Sequence, residues 1–314
     1  MRYRKILLAA GLAFCAMQET QSYAFTKTSR LNFYAKRGNI AKVRELLEKG
    51  ANPNRLSVKN NALMNAVKYS TAQDTAMVDT LLEFNANPNV VNRQGFSALT
   101  FAAVQNNTFV ARKILAHKDM KRVLIDKQDN KGNTPLHHAI DLGNVEMTQL
   151  LLELGASPVI QNNKGETPLI LTTRYGNTAD LRTLVEANGS LANHSYAAQR
   201  IIRRSVRKNL IITENRTVLM EAAESVTAGP DILEYLLSKG ASVDTKDTQG
   251  NTALMLAAST CQPYKVDMLI TKGHANLNLL NAKGETAIQQ AIQSSCVPAQ
   301  QILRQAGAKD DNKT

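Results

Sequence analysis

The stretch from Asp129 to Pro158, DNKGNTPLHHAIDLGNVEMTQLLLELGASP, is complete as a pattern and incomplete as a packed object. Asp129-Asn130-Lys131-Gly132 is a turn, with Asx side chains able to bond the backbone ahead and a glycine that accepts positive φ. Thr134-Pro135 opens a helix: the threonine caps free N–H groups, and proline at the first helical position forfeits no useful donor. Leu136, Ala139 and Ile140 then share one apolar face. Gly143-Asn144 interrupts. A second helix starts near Val145 and carries Leu150, Leu151 and Leu152, and Gly155 stops it. Two helices this short cannot bury their apolar faces on each other alone, so the unit needs neighbours of its own kind.

Those neighbours are present. Leucine or isoleucine recurs at the same point of each unit, at Leu63, Leu99, Leu136, Leu169, Leu219, Leu254 and Ile288. The regular interval is about 35 residues, and only the step from Leu169 to Leu219 is much wider. Thr134-Pro135-Leu136-His137-His138-Ala139 matches in full the T-P-L-H-x-A signature of a repeat of about 33 residues, and Thr167-Pro168-Leu169 matches part of it. On these residues the chain resembles the ankyrin-repeat family over roughly residues 28–309. The resemblance implies an all-α fold, a solenoid of about eight helix-turn-helix units with short β-turn fingers. Residues 25–58 are expected to form an N-terminal capping repeat, 59–188 repeats two to five, 215–308 repeats six to eight and 309–314 a polar tail. Aromatics make up 5% of the chain and tryptophan is absent, so small residues and leucine must fill the helix pairs.

Residues 189–214 break the rhythm. The gap from Gly189 to Leu219 is roughly twice the one from Gly155 to Leu169, which is typical of a regular unit. Periodicity predicts an amphipathic inserted helix over Tyr196–Leu210, with Ala198, Ile201, Ile202, Val206 and Leu210 on one face and Arg200, Arg203, Arg204 and Arg207 on another. Lys208 and Arg216 add to this basic cluster, which meets a single acid, Glu214. Two readings follow: a docking face for an acidic partner or an anionic membrane surface, or a solvated face on a helix that covers the array.

Residues 1–24 are of another kind. Arg2, Arg4 and Lys5 precede an apolar run from Ile6 to Met17 that is too short to span a bilayer. Ser22-Tyr23-Ala24 places small residues where a leader is cleaved, so 1–24 reads as a secretory signal peptide and the expected location is periplasmic or secreted. An uncleaved anchoring segment is the alternative. Cys261 and Cys296 lie beyond this leader, each expected in the turn between the two helices of neighbouring units. An oxidising compartment permits a bridge. Stacked equivalents in the family sit about 10 Å apart, whereas a disulfide needs Cα atoms within about 7 Å. The last unit has one extra residue before its cysteine, which would close the gap. A disulfide and two partly buried thiols both remain open.

No catalytic constellation is present in the sequence. It contains no G-x-x-x-x-G-K-[ST] or G-x-G-x-x-G phosphate loop and no G-x-S-x-G elbow. His137 and His138 are adjacent, so on a helix they diverge and cannot share a metal as i, i+4 histidines do. In the family the first of these positions bonds within the turn network. The Asn-Pro-Asn endings carry no carboxylates and read as turns rather than calcium loops. No cofactor, metal or enzymatic activity is expected.

What the resemblance implies is binding of another protein through turn tips and outward positions of the first helices. Carried over by position, the candidates are Arg93, Gln94, Phe96 and Gln105; Asn130, Lys131, Asn133 and Asp141; Asn163, Lys164, Glu166, Arg174 and Tyr175; and Thr248, Gln249 and Asn251. Phe96 and Tyr175 are the expected aromatic anchors, with ordinary inter-repeat packing as the alternative for each. A net charge of +12 favours acidic partners or anionic surfaces without naming one. Nucleic acid is disfavoured, because aromatic residues do not interleave with the basic cluster. The array is expected to be monomeric. An inhibitor or regulator of a secreted or periplasmic enzyme is a further reading.

Overall fold

The structure, a computed structural model, describes residues 27–57, 59–70, 75–116, 124–175, 177–187, 195–203 and 209–309. The expected leader, 1–24, and most of the tail lie outside them. Residues up to Asp129 form one compact unit and those from Asn130 a second.

The first unit contains three helix pairs: α1 (Lys27–Lys36) with α2 (Ile40–Glu48), α3 (Ala62–Tyr69) with α4 (Ala76–Glu83), and α5 (Ala98–Val104) with α6 (Thr108–Leu115). The second contains five: α7 (Pro135–Asp141) with α8 (Val145–Glu153), α9 (Pro168–Arg174) with α10 (Thr178–Ala187), α11 (Val218–Glu224) with α12 (Pro230–Ser238), α13 (Ala253–Ser259) with α14 (Pro263–Thr271), and α15 (Ala287–Gln293) with α16 (Val297–Gln305). Within each unit, first helices pack on first helices and second on second. The key leucine and isoleucine positions are all buried, none more than 1% exposed.

Local chemistry sets the boundaries. The hydroxyls of Ser97, Thr134, Thr167, Thr217 and Thr252 accept from backbone N–H groups one turn ahead, and the Asn39, Asn107 and Asn177 side chains do the same for second helices. Asn85, at φ 58°, stops α4 in place of the usual glycine. After the seventh pair the left-handed residue is not Gly273 but His274, at φ 52°.

The inserted segment differs from its expectation. In place of a helix over Tyr196–Leu210 the structure has two antiparallel strands, β1 (Ser195–Arg203) and β2 (Asn209–Thr217), paired from Ser195↔Thr217 to Arg203↔Asn209. The preference that wins is that of β-branched residues for a pleated surface: Ile201 lies opposite Ile211, and Ile202 opposite Leu210. Arg204, Arg207 and Lys208 lie outside the described residues. The helix assumed by the docking reading is thus replaced by strands over 195–203 and 209–217. Arg216, counted with that cluster in the sequence, is buried at the end of β2. It pairs with Glu221 (Nε to Oε1, 3.0 Å) and Glu224 (Nη2 to Oε2, 2.5 Å) of α11.

The hairpin does not interrupt the stack. Across it, α9 packs directly on α11 and α10 on α12. The Thr227 hydroxyl donates to the Arg174 carbonyl, and the Tyr235 hydroxyl reaches the Arg182 carbonyl at 3.5 Å.

Cys261 and Cys296 are bridged, with Cα atoms 5.3 Å apart. The extra residue explains how. Cys261 occupies the left-handed turn position after α13, but after α15 that position belongs to Ser295. Cys296 is the next residue, at the N-cap of α16. The two thiols thus meet diagonally across neighbouring turns.

Candidate functional site

The turns before α7 and α9 are tied together by side-chain and backbone bonds. Asn162 is the hub. Its Oδ1 accepts from the backbone N–H groups of Lys164 (2.9 Å) and Glu166 (3.0 Å), folding its own turn, while its Nδ2 reaches Asn133 Oδ1 at 2.9 Å and Glu166 Oε2 at 3.0 Å. Asn163 N–H donates to the Lys131 carbonyl at 2.9 Å, and Asn163 Nδ2 to the Asn130 carbonyl at 3.0 Å. Gly132, at φ +78°, sits where a Cβ would lie 2.6 Å from both Asn163 N and Oδ1, so only glycine permits this approach.

His137 locks the turns to the helices. Its Nδ1 accepts from the Thr134 backbone N–H at 3.1 Å, which places the ring proton on Nε2, 3.1 Å from the Glu166 carbonyl that accepts it. His137 is buried, so its role is structural.

Between these turns and the ends of α7 and α9 lies a groove of about 440 Å³. Eight of the candidates line it: Asn130, Lys131, Asn133, Asp141, Asn163, Lys164, Glu166 and Tyr175. Arg174 joins them through an ion pair with Glu166. The half-buried His138 and the buried Leu171 complete the wall. Tyr175 is 52% exposed. A hydrogen bond to Asp141, with some burial, raises its phenol above the ordinary range. The site offers an apolar ring face, amide groups and charges of both signs, a set suited to recognition. Among the described residues no group of three or more His, Cys, Asp or Glu is arranged to hold a metal ion.

The remaining candidates lie elsewhere. Thr248, Gln249 and Asn251 are on the turn before α13, outside the groove. That turn makes the same ladder, with Asn281 Nδ2 to Asn251 Oδ1 at 3.1 Å and Ala282 N–H to the Gln249 carbonyl at 2.8 Å. Arg93, Gln94, Phe96 and Gln105 belong to the first unit. Phe96 is half-buried edge-on against Phe101, 5.5 Å between centroids, which makes it packing first. Gln105 Nε2 donates to the Lys68 carbonyl at 2.6 Å.

The family model described as "Ankyrin repeats (3 copies)" matches residues 31–123, 70–162, 111–195 and 219–314. The chain belongs to the ankyrin-repeat family. Ankyrin repeats are protein–protein interaction modules, in general without catalysis of their own. Similar proteins include the palmitoyltransferase ZDHHC13 of Mus musculus, 27% identical over 74% of this chain and 34% of its own length. The B-cell lymphoma 3 protein homolog of Mus musculus is 27% identical over 69% of this chain and 45% of its own. The phosphocholine transferase AnkX of Legionella pneumophila is 24% identical over 77% and 25%. The chain thus spans under half the length of these curated relatives.

Asn162, Asn281 and Asn92, hubs of their turns as Asp247 is of the turn before α13, are absent from the sequence-derived candidates. Their signal is legible: each stands three residues before a glycine, at Gly165, Gly284 and Gly95, the spacing an Asx side chain needs to bond its own turn.

Proposed function

We propose that this ankyrin chain is an exported, non-enzymatic protein-binding module whose contact surface includes the groove from Asn130 to Tyr175. The observation that carries this reading is the convergence of two interlocked turns and two helix ends on one groove, with a half-exposed tyrosine at its edge. Interlocking keeps the groove pre-formed, which lowers the ordering cost of binding. Tyr175 is the anchor, and Arg174 and Glu166 supply polar specificity around it. The leader-like residues 1–24 and the Cys261–Cys296 bridge support export to an oxidising compartment.

Affinity capture with the full chain, compared with Tyr175→Ala and Lys131→Glu, tests the proposal. A protein retained saturably by the native chain and lost from both variants is the expected result. Retention of the same proteins by all three would exclude this groove.

A further inference from the structure

Charge is segregated on the first unit. Residues 27–37, 55–70 and 90–105, which comprise its first helices and the turns leading into α3 and α5, carry eight lysines and arginines and no Asp or Glu. Glu45, Glu48, Asp79 and Glu83 sit on α2 and α4 instead. There they meet local cations, as in Lys42–Glu45 at 2.7 Å, Arg44–Glu83 at 3.2 Å and Lys113–Asp79 at 3.3 Å. Asp126 and Asp129 lie on the turn after α6, which leads into α7 and borders the first-helix side at its far edge, and Asp129 is buried. The second-helix side mixes and pairs both signs, whereas α1, α3, α5 and the turns into α3 and α5 carry one.

The basic side is also built. The Arg37 guanidinium lies 4.2 Å from the Phe33 ring centroid. Lys36 of α1 reaches over Tyr69 of α3 at 4.8 Å, and Lys68 of α3 extends toward Phe101 of α5 at 5.7 Å. Cations and rings therefore form a ladder from helix to helix, which holds the charged heads in place on otherwise flexible stems. Phe33 is 43% and Tyr69 47% exposed, leaving apolar edges between the charges.

We propose that this first-helix side of the first unit docks an acidic, partly apolar segment of another protein. The ladder's geometry selects a peptide over other anions. Packed helices are about 8–10 Å apart, and an extended chain advances about 3.3 Å per residue. A carboxylate at every third position therefore reaches successive rows, with an apolar side chain between them for the Phe33 and Tyr69 edges. Nucleic acid would need open ring faces for its bases, and here Lys and Arg already lie over them.

The inference stands on the first unit and is independent of the groove on the second. The test uses the full chain and a labelled peptide bearing glutamate at every third position with leucine beside it, read by fluorescence anisotropy. Lys36→Glu/Lys68→Glu should weaken binding at least about tenfold, and Phe33→Ala/Tyr69→Ala should weaken it severalfold with the charge intact. Lys42→Glu/Lys113→Glu, which removes the same net charge from the second-helix side, should leave affinity nearly unchanged. All these side chains are exposed, and circular dichroism verifies folding of each variant. Equal losses from the two charge reversals, no binding, or tighter binding of oligothymidylate or phosphatidylserine vesicles than of the peptide would overturn the proposal. Tyr175→Ala should bind this peptide as the native chain does, so failure here leaves the groove reading standing.

Discussion

Reducing the bridge between Cys261 and Cys296 should destabilise the last two helix pairs by about 3–4 kcal/mol. The two cysteines are separated by 35 residues. Closing a loop of that length removes about 13 cal/mol/K from the unfolded chain, or about 3.8 kcal/mol at 25 °C. The Cα separation of 5.3 Å lies within the range disulfides adopt, so no backbone movement offsets this gain. Repeat stability is a sum of unit and nearest-neighbour terms, so the loss should be confined to α13–α16. Amide hydrogen exchange before and after reduction gives the local opening free energy there, and urea unfolding gives the global consequence. Cys261→Ser/Cys296→Ser should match the reduced protein and show no response to reductant. A change below about 1 kcal/mol on reduction, or a serine variant that responds to reductant as the native chain does, would refute the reasoning.

Asp180 is fully buried in the first turn of α10, and burial pushes its carboxyl up to about 6. The native state then holds the proton more tightly than the unfolded chain, so stability falls as pH rises from about 4 to about 6, by about 3 kcal/mol at neutrality. Asp180→Asn should recover much of this at pH 7 and none at pH 4, and equal melting temperatures at pH 7 would contradict it. Gly132→Ala should cost about 2 kcal/mol or more, adding a clash with Asn163 to the positive-φ penalty. Gly284→Ala, at φ +77° with no atom within 4 Å of its Cβ, should cost only about 1 kcal/mol. Denaturant melts of the pair check the difference.

The helix pairs are legible in the sequence because their signals are local. Thr-Pro starts, glycine or asparagine stops and leucine spacing each act within one turn, and they fall where Thr134, Asn85 and Leu136 sit. The inserted segment defeats such reading because its arginines at helical spacing coincide with isoleucines that also suit strands. Ile201 and Ile202 gain cross-strand partners only through Ile211 and Leu210, a pairing that periodicity along one segment does not contain. The groove is half legible. Position in the repeat places Lys131 and Tyr175 on an outward side, but the hydrogen bonds of Asn162 and His137 that fix its shape depend on the neighbouring unit. The diagonal meeting of the cysteines follows from counting one added residue.

The strand pair between α10 and α11 carries a wider consequence. Helices on either side of it close directly on one another, so this seam tolerates extra sequence as a side branch. Chain-closure cost there grows only as the logarithm of the added length. New recognition modules can therefore be grafted at this port while the load-sharing contacts of the array stay as they are.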